Sequence, residues 1–309
     1  MISINILNYN TFENSCRCID SCLKQTGGNY RILLIDNAST DDSFNQLKAK
    51  YGDSIDYFQT GDNYGYAGGN NKGVEYCYKK GVKYALLLNS DTELIGNKLF
   101  LELINVINSH KNCAVVSPTI YDITKRGPIK HTNDYLYNKL LRYIHILPKT
   151  RVISENVSQV SEAHGSALLV DCTCFMEVGG FPEHYFMYCE ESTFAKKILW
   201  AGYEILWYKS DDSYINHHHD KAGKIDPWRE FLMGRNRAIE YFENRSYHSF
   251  LWLFVYRLFQ FKMCIEGMKS HNIHYYQGMR NGEMLMKNKS SQKYCYQEGI
   301  KILHDYPKT

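Results

Sequence analysis

The stretch Tyr84-Ala85-Leu86-Leu87-Leu88-Asn89-Ser90-Asp91-Thr92-Glu93 constrains this chain more than any other. Its apolar run is long enough to cross a sheet once and stops abruptly at polar residues that include a carboxylate. Such a run reads as a buried, parallel strand. Open α/β sheets bind ligands outside the carboxyl ends of their strands. Asp91 is therefore expected where a hard cation and a ligand phosphate can both be met. The competing reading is that Asn89-Ser90-Asp91 caps a following helix, a role these residue types fill well.

The sequence before this stretch repeats its pattern. Ile2 to Leu7 reads as an opening strand, followed by Asn8-Tyr9-Asn10, with Asn10 and Glu13 spaced as a capping box. Phe12, Cys16, Ile19 and Leu23 then recur at helical spacing. A second strand, Arg31 to Ile35, runs into Asp36-Asn37-Ala38-Ser39-Thr40-Asp41-Asp42, where Ser39 or Thr40 is placed to cap a helix reaching about Tyr51. A third, near Ile55 to Phe58, leads to a segment from Gly61 to Gly73 that holds five glycines in thirteen residues. That segment reads either as a flexible loop or as a turn opening a helix whose N-terminal amides face an anion. Neither the dinucleotide fingerprint nor the P-loop lysine pattern is present. A helix from about Asn97 to Ser109 and a strand from Cys113 to Val116 complete four strand–helix repeats, which predicts a mostly parallel α/β sheet. Polar clusters at Asn8, Asp36 and Asp91 close three of these strands, and clusters at sequential strand ends converge in space.

Residues 118 to 160 read as an excursion over the sheet, rich in turn formers. His164-Gly165-Ser166 then precedes an apolar strand from Ala167 to Val170. Glu190 and Glu191 open a helix running to Trp200, where a helix N-terminus favours negative charge in any case. Three adjacent histidines, His217-His218-His219, cannot all face one way, so at most two can share a site. Beyond Trp228 the chain turns helical, carrying Arg235-Asn236-Arg237 and an aromatic run from Phe250 to Phe261. That run can pack on the main domain or lie on a membrane surface, with Arg257 and Lys262 at the headgroups.

Composition narrows the class of protein. In 309 residues, 22% charged and 44% hydrophobic residues give the balance of a soluble globular chain. A formal charge of +3 is too small to imply nucleic acid as a partner. The ten cysteines are scattered, and residues 1 to 7 look like a strand rather than a secretory signal, so free thiols in a reducing cytosol are expected. The longest apolar run, Phe250 to Tyr256, is too short to span a bilayer.

Five motifs in fixed order then carry a resemblance: LNYN (Leu7 to Asn10), IDNASTDDS (Ile35 to Ser43), NYGYAGGNNKG (Asn63 to Gly73), LLLNSDTE (Leu86 to Glu93) and GGFPEHYFMYCEES (Gly179 to Ser192). The sequence resembles the family 2 inverting glycosyltransferases of the GT-A fold, nearest to the bacterial branch of rhamnosyl- and galactofuranosyltransferases. The likeness covers about residues 1 to 120 and 161 to 240. It implies that Asp36 meets the donor's pyrimidine base and that Asn8, Asn63, Gly69, Asn70 and Gly165 line the nucleotide-sugar pocket. Asn89-Ser90-Asp91 stands where the family has Asp-any-Asp, so Asp91 would ligate Mg²⁺ or Mn²⁺ on the donor diphosphate. His217 matches a late metal-binding histidine, with His218 or His219 as substitutes. The glutamate pair matches a Glu-Asp motif whose second acid is the catalytic base, here Glu191, with Glu190 as the alternative. Asn89, Glu191, Thr193 and Pro182 depart from the family pattern.

The expectation is therefore an α/β GT-A fold, Rossmann-like, with a mostly parallel sheet flanked by helices and a C-terminal helical extension. Residues 1–228 would form the transferase domain and 229–309 a helical region that packs on it or faces a membrane. The implied activity is metal-dependent, inverting transfer of a sugar from a dTDP-rhamnose- or UDP-hexose-like donor to a glycan or lipid-linked glycan acceptor. The implied location is the cytoplasm, with peripheral contact at the inner face of the cell membrane. The alternative is a catalytically impaired module that binds nucleotide-sugar or glycan in an assembly complex.

Overall fold

A computed structural model describes residues 2–124, 127–130, 150–218, 226–243, 250–270 and 273–287. The N-terminal strands are β1 (Ile2–Asn8), β2 (Tyr30–Asp36), β3 (Asp56–Gln59) and β4 (Tyr84–Asn89). They alternate with α1 (Phe12–Leu23), α2 (Ser43–Tyr51) and α3 (Gly65–Lys79). Next come β5 (Thr92–Ile95), α4 (Leu99–Ser109), β6 (Cys113–Ser117), β7 (Ile120–Thr124), β8 (Gly127–Lys130), β9 (Arg151–Val152), β10 (Val157–Val160) and β11 (Ala167–Asp171). After α5 (Cys172–Glu177) and α6 (Glu190–Trp200), β12 (Glu204–Tyr208) and β13 (Tyr214–His218) complete the strands.

The main sheet has the order β3-β2-β1-β4-β11-β6-β12-β10-β9. Only β11 and β10 run against the other strands, so the sheet is mostly parallel. Register fixes where the polar strand ends meet: Asn8 lies opposite Asp36, and Leu7 opposite Asn89. The first five residues of β4 are buried, as a strand covered on both faces requires. One core joins Ile4, Ile6, Leu86 and Leu88 of the sheet to Cys18, Ile19 and Cys22 of α1 and to Leu103 of α4. The described cysteines are free thiols. A smaller sheet, β5-β13-β7-β8, stands beside the end of β4.

Three local expectations are corrected. Asn89-Ser90-Asp91 caps no helix, because the chain enters β5 directly and Thr92 Oγ1 closes the turn on the Asn89 carbonyl at 2.7 Å. Asn10 does not box with Glu13. It sits at φ 56° and its Oδ1 accepts from the Thr40 and Asp41 amides instead, stitching two strand-end turns together. The helix after β2 begins at Ser43 rather than under a Ser39 or Thr40 cap, with the Ser43 amide donating to Asp41 Oδ1. In the glycine-rich stretch, Gly65 onwards is helical. A Cβ at Gly69 would press into Leu7, and one at Gly73 would overlap Ile35, so these glycines bring α3 close to the sheet.

The chain divides into two compact units. Unit one takes the chain to Tyr64, Gly68–Phe181 and the chain from Phe194 through β13. Unit two takes Gly65–Ala67, Pro182–Thr193 and the C-terminal helices α7 (Pro227–Glu243), α8 (Phe250–Ser270) and α9 (His274–Lys287). Within it α7 and α9 cross at backbone distance, since a Cβ at Gly234, Gly278 or Gly282 would overlap a carbonyl of the facing helix. Among the described residues no helix is long and apolar enough to cross a membrane.

Candidate active site

In unit one, three strand ends gather the residues that the sequence singled out. Asn8 is fully buried, and its amide donates to Asp36 Oδ1 at 2.9 Å and to Ser39 Oγ at 3.0 Å. Its Oδ1 accepts from Thr11 Oγ1 and Ser15 Oγ. An amide is suited to this role, because one side of it donates while the other accepts. Asn8 thus locks Asp36 from behind. Asp36 Oδ1 also takes the Ser39 hydroxyl at 2.6 Å, and Oδ2 takes the Ser39 amide at 3.2 Å. Asn37 Nδ2 reaches Asn63 Oδ1 at 3.0 Å, tying the glycine-rich segment to β2. Gly69 abuts Leu7, and Asn70 is buried on α3. Across the sheet, the Asn89 amide donates to the Ser166 carbonyl, placing the His164-Gly165-Ser166 turn next to the end of β4.

Asp91 lies one turn past β4 and is about a third exposed, while His217 is almost completely buried. Asp91 Oδ1 stands 3.3 Å from His217 Nε2, and His217 Nδ1 is 2.9 Å from Asp122 Oδ1 on β7. Burial pulls the His217 imidazole down, but the bonds to Asp122 and Asp91 outweigh it and push the pKa up to about 9. The His164 ring packs edge-on against His217 at 5.5 Å. The period of β13 separates the adjacent histidines. His218 turns to Glu93 at 3.0 Å, and its amide donates to the Asp91 carbonyl. His219 lies outside the described residues. Asp122 fell in a segment of weak periodicity, and nothing in its sequence context marks it as facing His217.

Among the described residues no three acidic, cysteine or histidine side chains converge on one point to enclose an ion. What unit one offers is a two-member donor set, Asp91 Oδ1 and His217 Nε2. Asp122 behind the imidazole is the kind of partner that fixes the tautomer and ring orientation of a metal-ligating histidine. The set fits a divalent cation that draws its remaining ligands from phosphate oxygens and water.

Unit two holds the glutamate pair. Glu190 is buried, and its Oε2 has no hydrogen-bond partner among the described residues. Burial, and then the Glu191 carboxylate, hold Glu190 well above the usual carboxylate range. Tyr66, from the glycine-rich stretch, lies near the same pair; burial, then Glu190 and Glu191, raise its phenol well above its ordinary value. The approach to the pair is unusual. Phe186, Tyr188 and Cys189 adopt φ of 66°, 75° and 69° without being glycines, a conformation costing about 1–2 kcal/mol per residue. No local signal marks these left-handed residues, since none is a residue type that favours the conformation.

The mostly parallel sheet flanked by helices is a GT-A architecture. The pattern of Glycosyl transferase family 2 matches residues 3–171, more than half of the chain, so the chain belongs to that family and is a glycosyltransferase. It is 27% identical over 239 residues to the low-salt glycan biosynthesis hexosyltransferase Agl10 of Haloferax volcanii, covering 77% of this chain and 74% of that protein. Over 205 residues it is also 27% identical to the rhamnosyltransferase WbbL of Escherichia coli K12, covering 62% and 74% of the two chains. Its fold matches the crystal structure of GalNAc-T7 with UDP, GalNAc and Mn²⁺, with a TM-score of 0.57 at 16% identity. That match covers 76% of this chain and 47% of the other.

Proposed function

We propose that the chain is an inverting, metal-dependent hexosyltransferase. It moves a sugar from a nucleoside-diphosphate donor, of the dTDP-rhamnose or UDP-hexose kind, to a hydroxyl of a growing cell-surface polysaccharide. Its transferase domain comprises residues 1–228, and residues 229–309 form a helical region. The observation that carries the reading is the Asp91–His217–Asp122 line at the end of β4. A carboxylate and an oriented imidazole stand where the resemblance puts the metal. The Mn²⁺ bound with UDP in the GalNAc-T7 crystal structure and the names of the two relatives support the same reading.

In this reading Asp36, Asn8, Asn63, Gly69, Asn70, Asn89 and Gly165 form the nucleotide-sugar pocket, with Asn8 holding the Asp36 carboxylate in place. Asp91 and His217 would hold Mg²⁺ or Mn²⁺, which would supply positive charge against the departing diphosphate. Glu191 accepts the proton of the acceptor hydroxyl as that oxygen attacks the anomeric carbon. The carbon–oxygen bond to the diphosphate breaks as the new glycosidic bond forms, and the anomeric centre inverts.

A panel of nucleotide-sugars with Mn²⁺ and a glycan acceptor, followed by anomeric NMR, tests this. Inverted product that disappears with chelator is the expected result; retained configuration or chelator-resistant transfer would overturn the mechanism. Asn89, which replaces the first aspartate of the family motif, favours the second reading of a binding module without turnover. Calorimetry showing metal-independent binding and no donor consumption would select it.

Peripheral contact with the inner membrane face belongs to the same proposal. On α8, Phe254, Leu258 and Phe261 are exposed and recur at helical spacing beside Arg257 and Lys262. Flotation with anionic liposomes, with and without residues beyond Arg245, tests this contact. Identical partitioning of the two versions would remove it.

A further inference from the structure

The loop before the glutamate pair is held by a residue type chosen for one property, two amide protons on one nitrogen. Asn236 of α7 is fully buried, and the two protons of its Nδ2 are shared among the carbonyls of Tyr185, Met187 and Tyr188 at 3.0, 2.7 and 2.9 Å. Arg235, fully buried beside it, donates from Nη2 to the same Tyr185 carbonyl and from Nε to Asn236 Oδ1, which fixes which way the amide faces. One helical turn further on, buried Glu240 accepts from Ser192 Oγ at 2.6 Å and from Arg237 at 2.7 Å. Residues four apart lie on one helix face. The same face of α7 therefore grips the chain at Tyr188, two residues before Glu190, and at Ser192, one residue after Glu191.

The gripped segment would not keep this shape unaided. Phe186, Tyr188 and Cys189 all sit at positive φ, which bulky side chains adopt only when the surroundings impose it. The Phe186 carbonyl also accepts from the Ala67 amide, and a Cβ at Gly65 would overlap that carbonyl, so the loop is held from a second side. Nothing in this arrangement touches a reacting atom. Its effect is on where the two carboxylates point.

We propose that Asn236 and Glu240 are positioning residues that set the orientation of the Glu190–Glu191 pair by gripping the chain on both sides of it, Asn236 by imposing the left-handed loop. The role rests on the reading of Glu191 as base. Loss of the Asn236 grip lets the loop relax to negative φ and swings Glu191 away from the acceptor hydroxyl, and a displacement near 1 Å costs about 100-fold in rate. Donor binding, which the proposal assigns to unit one, is left in place.

Cys189 reports on the loop without any ligand. Its thiol is partly buried, and burial pushes its pKa far up, so alkylation in the native protein is expected to be slow. The full-length protein is compared with Asn236→Ala and with Asn236→Ala/Tyr188→Gly. The readouts are iodoacetamide labelling at Cys189 by peptide mass spectrometry, and kcat and KM for the donor identified by the nucleotide-sugar panel. Asn236→Ala is expected to label about tenfold faster or more, as a loop that opens locally does. It is also expected to lose about 10- to 100-fold in kcat with donor KM unchanged. Glycine at 188 adopts positive φ freely and restores much of kcat.

Labelling and kcat at the native level in Asn236→Ala, or loss without rescue by Tyr188→Gly, would overturn the proposal. Should Asn236→Ala not fold, Asn236→Ser, which keeps a single donor, takes its place with the same two outcomes. Glu191→Gln separates the premises: it should lose transfer while Cys189 labels at the native rate. Full turnover by Glu191→Gln would remove the base assignment, and labelling alone would then decide whether Asn236 holds the loop.

Discussion

His217 lies between two carboxylates, whereas Glu190 lies beside another acid and a tyrosine. Both groups are buried, and both have a raised pKa, but for opposite reasons. His217 is raised in spite of burial, because Asp122 and Asp91 stabilise its charged form. Glu190 is raised by burial and by Glu191, which destabilise its charged form. The first cluster is a charge-compensated line, and under the proposed function a proton on the imidazole and a divalent cation would compete for one place. In the second, burial and the neighbouring acid favour the protonated form and outweigh the backbone hydrogen bond that opposes them. Unit one thus pairs an imidazole with two carboxylates, and unit two sets one buried acid beside another.

The largest expected effects come from removing the member of each cluster to which the proposed function gives the chemistry. Glu191→Gln is predicted to lower transfer by about 10²–10⁴-fold. Asp91→Ala is predicted to abolish both transfer and Mn²⁺ binding while the fold, read by circular dichroism, stays intact. Full activity in Glu191→Gln would move the base to Glu190.

Asp122 provides a sharper break, because it acts on unit one alone. Asp122→Ala is predicted to weaken Mn²⁺ affinity by about 10- to 100-fold, read by electron paramagnetic resonance in the presence of UDP. An unchanged affinity would show that His217 needs no partner behind it.

The pH dependence follows from the same contrast. His217, raised above its unfolded value, contributes stability that is fully present below about 6.5 and is lost as pH rises through about 9. Because the proton must leave before the ring can ligate, Mn²⁺ affinity should tighten over the same interval. Titrations at fixed ionic strength check both signs, and affinity that falls as pH rises would exclude His217 as a ligand.

The smallest predicted effect on rate belongs to Glu190→Gln. A neutral isostere replaces an acid whose surroundings favour its neutral form, so transfer should change by only a few-fold. Glu190 is also raised, so its contribution is present below the ordinary carboxylate range and is lost as pH rises. Glu190→Gln should therefore melt higher than the native protein at pH 8 and lose that advantage at pH 4. Equal melting temperatures at both pH values would show that folding does not raise the Glu190 pKa.

Much of the fold was legible because it rests on local periodicity. The apolar runs ending at Asn8, Asp36 and Asn89 are strands ending at those positions, and their parallel register places the ends side by side. The local capping assignments fared worse. Asn10 and the Ser39–Thr40 pair have the chemistry of helix caps, but the neighbouring strand end offered other donors and acceptors, and tertiary bonds prevailed.

The sequence by itself determined the strand–helix alternation, because apolar spacing encodes it directly, and its ordered motifs carried the resemblance that singled out the candidate carboxylates and histidines. Only the tertiary structure decided which histidine faces Asp91, that Asp122 stands behind it, and that Asn236 holds a left-handed loop of ordinary residues. Those features depend on contacts between residues 48 to 126 positions apart, 91 with 217, 122 with 217 and 188 with 236. No local pattern records such a contact. It exists only once the sheet and the helices have brought the partners together.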